Sequence, residues 1–132
     1  MNTLRLLALF VLSLVFWGQF SACSAESRLI RLDETMKIYG DTIRWGQIAD
    51  AEKLVVNKGK LDRNQLEGVR ITGYDIRDKS VSEDKKTATA TVEIRYYNEE
   101  IGTERKLIDK QEWIYIDQQD IWMLTSDMPS FE

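Results

Sequence analysis

The sequence predicts an α+β domain in which two N-terminal helices pack on a curved, four-stranded antiparallel sheet. Leu29, Leu32, Met36, Tyr39 and Ile43 recur at spacings of three and four, which lines them up on one helical stripe. After Gly68 the apolar period changes to two, the period of a half-buried strand. Polar connections then separate the alternating segments, which favours a meander of neighbouring strands. Helices that precede the strands, instead of alternating with them, make the class α+β.

Each element has its own signals. Ser27 is placed to cap the first helix, Asp33 and Glu34 sit early in it, and Arg44 sits near its end, as the helix dipole prefers. Gly40 interrupts it and marks a close approach to the sheet. Gly46 is expected as the residue that stops it. A second, shorter helix is expected over 47–55, with Ile48, Ala51 and Val55 on one side. Residues 57–68 read as a polar connector pinned by Leu61 and Leu66. The first strand is expected over 69–78, with a bulge or bend at Gly73. The strand over 87–97 alternates most cleanly: Ala88, Ala90, Val92, Ile94 and Tyr96 against Thr87, Thr89, Thr91, Glu93, Arg95 and Tyr97. Strands over 104–116 and 121–125 follow, and Pro129, the one proline, ends the regular structure.

The first 22 residues read differently. Arg5 is the only charge before Glu26, and the run from Leu6 to Trp17 is apolar apart from Ser13. That matches the charged start and short apolar centre of an export signal. It is shorter than the about 20 residues a spanning helix needs. Phe20-Ser21-Ala22-Cys23 resembles the lipobox of bacterial lipoproteins, with Phe20 where an aliphatic residue is usual. The resemblance implies that Cys23, the single cysteine, receives a diacylglyceryl group and becomes the acylated N-terminus. Two or more acyl chains hold a protein stably to a bilayer. By the same resemblance, Ser24 in place of aspartate implies the outer membrane, with the domain facing the periplasm. The expected division is a signal over 1–22, a lipidated cysteine and short tether over 23–28, and an α+β domain over 29–132. The plainer alternative is a cleaved secretory signal followed by an incidental cysteine.

Composition narrows the chemistry. Without the leader, 17 basic residues stand against 22 acidic ones, a formal charge of −5, and the signs are interspersed. No basic stripe tracks a phosphate backbone, so nucleic acid is not an expected partner. The chain has no histidine, which removes the commonest general base near neutral pH and the commonest metal ligand. With Cys23 committed to lipid, no Cys/His zinc site assembles. No nucleotide, hydrolase or calcium motif is present, and no cofactor is expected.

The segment from Tyr39 to Val55 resembles the opening helices of nuclear transport factor 2-like proteins. The stretches 87–97, 106–116 and 121–125 resemble their curved sheet. Trp113 to Ser126 is similar to the closing hairpin of small Gram-negative lipoproteins with this fold. The resemblance spans nearly all of the chain after the leader and implies a cone with helix and sheet around one interior. Members of this superfamily include isomerases, dehydratases and binding modules. The resemblance therefore implies a fold and not an activity.

One candidate pocket follows from alternation. If Leu107, Asp109, Gln111, Trp113 and Tyr115 point inward, Asp109 and Gln111 lie among aromatics beside Tyr39. A carboxyl there would gain proton affinity by desolvation, and a tyrosine could stabilise an oxyanion. One competing arrangement puts a bulge near Gln111 and leaves Asp109 in water; even without a bulge, Asp109 could pair with Arg105 or Arg95 on the surface. Three functions are compatible with this reading. One is a non-enzymatic module that binds an envelope protein. Another is a small apolar-ligand binder or acid/base enzyme using the cone. The third is a homodimer joined through Thr89, Thr91, Glu93, Arg95 and Tyr97.

Overall fold

The structure is a computed structural model that describes residues 20–58 and 66–131. It consists of α1 (Phe20–Arg44), α2 (Ile48–Ala51), a 3-10 turn (Glu52–Leu54), β1 (Val69–Val81), β2 (Thr87–Asn98), β3 (Thr103–Ile116) and β4 (Ile121–Leu124). The strands form one open antiparallel sheet in the order β1-β2-β3-β4, the expected meander. The export signal, its cleavage site before Cys23 and Leu61 lie outside the described side chains.

The predicted stripe on α1 is the core stripe: Leu32, Met36, Tyr39 and Ile43 are buried against the sheet. The helix begins earlier than expected. Ser27 lies inside it instead of capping it, and residues 24–28 continue the same helix. Its end is as expected. Gly46 takes a φ of 70°, Gln47 N–H donates to the Thr42 carbonyl at 2.8 Å, and Gly46 N–H donates to the Ile43 carbonyl at 3.2 Å. This pair of bonds is a Schellman motif, which needs the left-handed residue glycine adopts at little cost.

The second helix is shorter than the expected 47–55. After one α-turn and a 3-10 turn, Val55 leaves to form a parallel bridge with Leu124, and Val56 N–H donates to the Leu124 carbonyl at 2.8 Å. β-branched residues lose little by being extended, and here the extended form satisfies an edge of the sheet. Ala51 and Val55 are buried and Ile48 packs beside them, as their spacing implied.

Between β2 and β3 the register is unbroken, so the inner face of one strand dictates that of the other. Ala88, Ala90, Val92 and Ile94 stand opposite Trp113, Gln111, Asp109 and Leu107. Small residues thus face large ones, which lets a tryptophan and a glutamine share the space without splaying the strands. In β1 the register shifts between Ile71 and Gly73 and again between Ile76 and Asp78. The first shift is the expected irregularity at Gly73. Its consequence is that Tyr74, paired with Ile94, joins Ile71 on the inner face.

Two glycines allow close approaches. A Cβ on Gly40 would stand 2.6 Å from Cε1 of Tyr74, so the tyrosine ring lies against the helix backbone. A Cβ on Gly73 would strike the Arg95 guanidinium, which lies across that glycine on the outer face of the sheet. The closing tail is also anchored: Phe131 is buried and meets the Tyr96 ring edge-on at 5.1 Å between centroids.

Gly40→Ala tests the first approach. Alanine should gain about 1 kcal/mol in helix propensity, yet a Cβ against the Tyr74 ring should cost about 1–3 kcal/mol in overpacking. The expected net result is a lower urea midpoint with an unchanged slope. A variant more stable than wild type would show that Tyr74 is not held against the helix.

Candidate functional site

The interior between α1 and the sheet holds a small polar cluster in apolar surroundings. Asp109 is 7% exposed and Gln111 is 1% exposed, both on the inner face of β3. The arrangement with a bulge near Gln111 does not occur, and Asp109 faces the core. Arg95 pairs with Asp75 on the opposite face of the sheet. Gln111 is the centre of the cluster. Its Nε2 donates to the Tyr74 hydroxyl at 2.8 Å and to Asp109 Oδ2 at 2.8 Å. Its Oε1 accepts from Trp113 Nε1 at 3.2 Å. Both amide protons and the carbonyl are thereby engaged.

Tyr39 comes from α1. Its ring meets Trp113 edge-on, with centroids 5.5 Å apart and planes at 87°. The Tyr39 hydroxyl is buried without a hydrogen-bond partner. Burial raises its proton affinity well above the ordinary phenol value, with smaller contributions in the same direction from the nearby Asp109 charge and Tyr74. The Tyr74 hydroxyl is raised likewise, chiefly by burial, against the lowering effect of its Gln111 bond. Asp109 is pushed above the ordinary carboxyl range by desolvation, which the single Gln111 bond only partly offsets.

Of the five residues predicted to share a pocket, four come together: Tyr39, Asp109, Gln111 and Trp113. Tyr115 is on the same face but at the other end of β3. There it meets Trp122 at 5.5 Å between centroids, carries the Arg28 guanidinium 5.1 Å over its ring, and hydrogen-bonds Asp120. Tyr74 belongs to the cluster and is not among the five. A signal for it exists in the sequence, because a bulge at Gly73 shifts the alternation by one residue and turns Tyr74 inward.

Met36, Tyr39, Ile43, Trp113 and Trp122 are all buried within this interior. Among the described residues, the cluster is therefore packed in side chains. A groove of about 340 Å³ runs outside it, between α1 and β1, with Met36, Gly40 and Tyr74 in its lining and Lys37, Arg44 and Arg77 among its charges. Tyr74 stands between this groove and Gln111. A second cleft, about 480 Å³, lies at Gly46–Asp50 and Leu66–Glu67.

No family model matches this chain, and no curated protein or solved structure does either. Among the described residues, no helix is long and apolar enough to cross a membrane, and no group of acidic or cysteine side chains is arranged to hold a metal ion.

The cluster makes opposite predictions for two of its members. Gln111→Leu strands the Trp113 indole N–H, the Tyr74 hydroxyl and Asp109 together, and should cost at least about 3 kcal/mol, since each buried group left unpaired costs about 1–3 kcal/mol. Tyr39→Phe removes a hydroxyl that has no partner and should leave stability unchanged or raise it by up to about 1 kcal/mol. Urea unfolding followed by tryptophan fluorescence measures both. Equal losses in the two variants would contradict the described hydrogen bonding.

Proposed function

We propose that this chain is an outer-membrane lipoprotein whose small domain faces the periplasm and serves as a non-enzymatic module for binding an envelope partner. The observation that supports a binding module over an enzyme is the filled interior. Its polar groups are tied to each other through Gln111, and the space that would admit a substrate holds Met36, Tyr39, Ile43, Trp113 and Trp122. Recognition then falls to the outside of the domain. There Ile30 and Ile38 of α1 stand out from the surface, and Trp45 at its end is 71% exposed with Arg44 over its ring. Aromatic and arginine side chains are the residue types that dominate binding surfaces.

The address rests on Phe20-Ser21-Ala22-Cys23 and the apolar leader before it. Arg28, five residues beyond Cys23, accepts a bond from Trp122 of the sheet through its carbonyl, so the lipid would hold the domain close to the bilayer. We read the fold as nuclear transport factor 2-like on the same grounds: a long helix laid over a meander whose first strand is bulged. The sheet itself is open. The alternative, an acid/base enzyme or small apolar-ligand binder using the interior, draws on one observation, the raised proton affinity of Asp109.

Labelled palmitate tests the address. The wild-type protein should incorporate label and fractionate with outer membranes, while Cys23→Ser should be exported without label. A Cys23→Ser protein that labels as well as wild type would overturn the assignment. Cross-linking in intact envelopes then tests the module. Loss of the captured partner in a Trp45→Ala, Ile38→Ser variant of unchanged stability supports it, and an undiminished yield removes this surface from the proposal.

A further inference from the structure

We propose that Asp109 is a proton-controlled latch on the seam between α1 and the sheet. The geometry sets it apart from the other carboxylates. It lies on the inner face of β3, and its one described hydrogen bond is the 2.8 Å donation from Gln111 Nε2 to Oδ2. No lysine or arginine among the described residues is ion-paired with it, and the chain has no histidine. By contrast, Asp75, Glu93 and Asp33 are paired with Arg95, Arg77 and Lys79.

The groups facing Asp109 are few. Tyr39 approaches from α1 and Tyr74 from β1, and both phenols are neutral across the physiological range. Val92 stands across from it on β2, and Gln111 follows on its own strand. An ionised carboxyl in this setting has one amide donor and no counter-charge, whereas a protonated one fits an apolar interior. Ionisation therefore calls for water. Asp109 is only 7% exposed, so fuller hydration of its carboxylate requires the Tyr39 side of α1 to lift from β3 or the Tyr74 ring to leave Gly40. Proton release and opening of this seam are thus one equilibrium, and the seam is the element that the proton biases.

The sign follows from burial. The folded state holds the Asp109 proton more tightly than the unfolded chain does. The resulting stabilisation is full below the carboxyl value of the unfolded chain and is lost as pH rises through the raised folded value. Above that value the ionised, unpaired carboxylate is a constant burden on the closed form. The latch is a property of the fold and does not depend on lipidation or on a partner.

The test begins with carbon-13 labelled aspartate in the wild-type protein. The Asp109 carboxyl resonance should titrate above the ordinary carboxyl range. As pH passes that midpoint, exchange of the Trp113 indole N–H should become faster than in Asp109→Asn at the same pH, since the difference in proton affinity between closed and open forms carries over to the opening equilibrium. Asp109→Asn should also melt higher than wild type above the Asp109 midpoint, with the gap closing as pH falls below the carboxyl value of the unfolded chain. A midpoint in the ordinary carboxyl range overturns the proposal, as does an Asn variant that keeps the wild-type pH dependence. If that variant does not fold, the wild-type titration and the pH dependence of its indole exchange decide the matter alone.

Discussion

The fold depends on one amide side chain placed where most proteins put a hydrocarbon. Gln111 is fully desolvated, and a primary amide without partners there would weigh heavily against folding. It escapes that penalty by bonding Tyr74 of β1, and Asp109 and Trp113 of its own strand. Hydrogen bonds have direction where apolar contacts do not. This small network therefore selects one register of β1 against the rest of the sheet, and one rotamer for each of its members. Because Trp113 also carries the Tyr39 ring on its edge, the orientation of α1 is linked to the same amide.

The neighbouring residues make room for that network. Alanines at 88 and 90 stand opposite Trp113 and Gln111, and Gly40 lets the Tyr74 ring come flush with the helix backbone. On the far side of the sheet the problem is charge. Asp75, Arg77, Glu93, Arg95 and Lys106 form a chain of pairs, with the Arg95 guanidinium laid over Gly73. The pairs are at least partly solvated, so they contribute little stability singly. The Arg95 Nε is buried without a partner, which is the cost of lying flat on the glycine. The same bulge thus turns a tyrosine into the core and seats an arginine on the surface.

Much of this is legible in the residues. The alternation of 87–97 can be read directly because its two faces differ so sharply, and the Schellman ending at Gly46 follows from a lone glycine after a helical stripe. The third strand is harder, because both of its faces carry apolar residues in the far half. Its orientation is settled by the unbroken pairing with β2, a non-local fact that no window on 104–116 contains. Tyr74 escapes the sequence pattern for a related reason: locating a bulge is easier than carrying its one-residue shift down the strand. The helix start differs from expectation because Ser27 is a good cap only where a helix begins, and residues 20–26 are already helical ahead of it. The shortened second helix reflects a bridge to Leu124, far along the chain, that outweighs local preference.

The way the first helix enters the domain has a mechanical consequence. The Trp122 indole donates to the Arg28 carbonyl at 2.9 Å, the Arg28 side chain lies over Tyr115 and beside Asp117, and Arg31 holds Asp120. These contacts belong to the hairpin of β3 and β4 and its turn, and they precede the first fully buried residue of the stripe, Leu32. Tension on the chain ahead of residue 28 is therefore borne by a clamp of polar bonds at one corner of the sheet before it reaches Leu32. The greasy stripe and the Gln111 network behind it stay unloaded until that corner gives way.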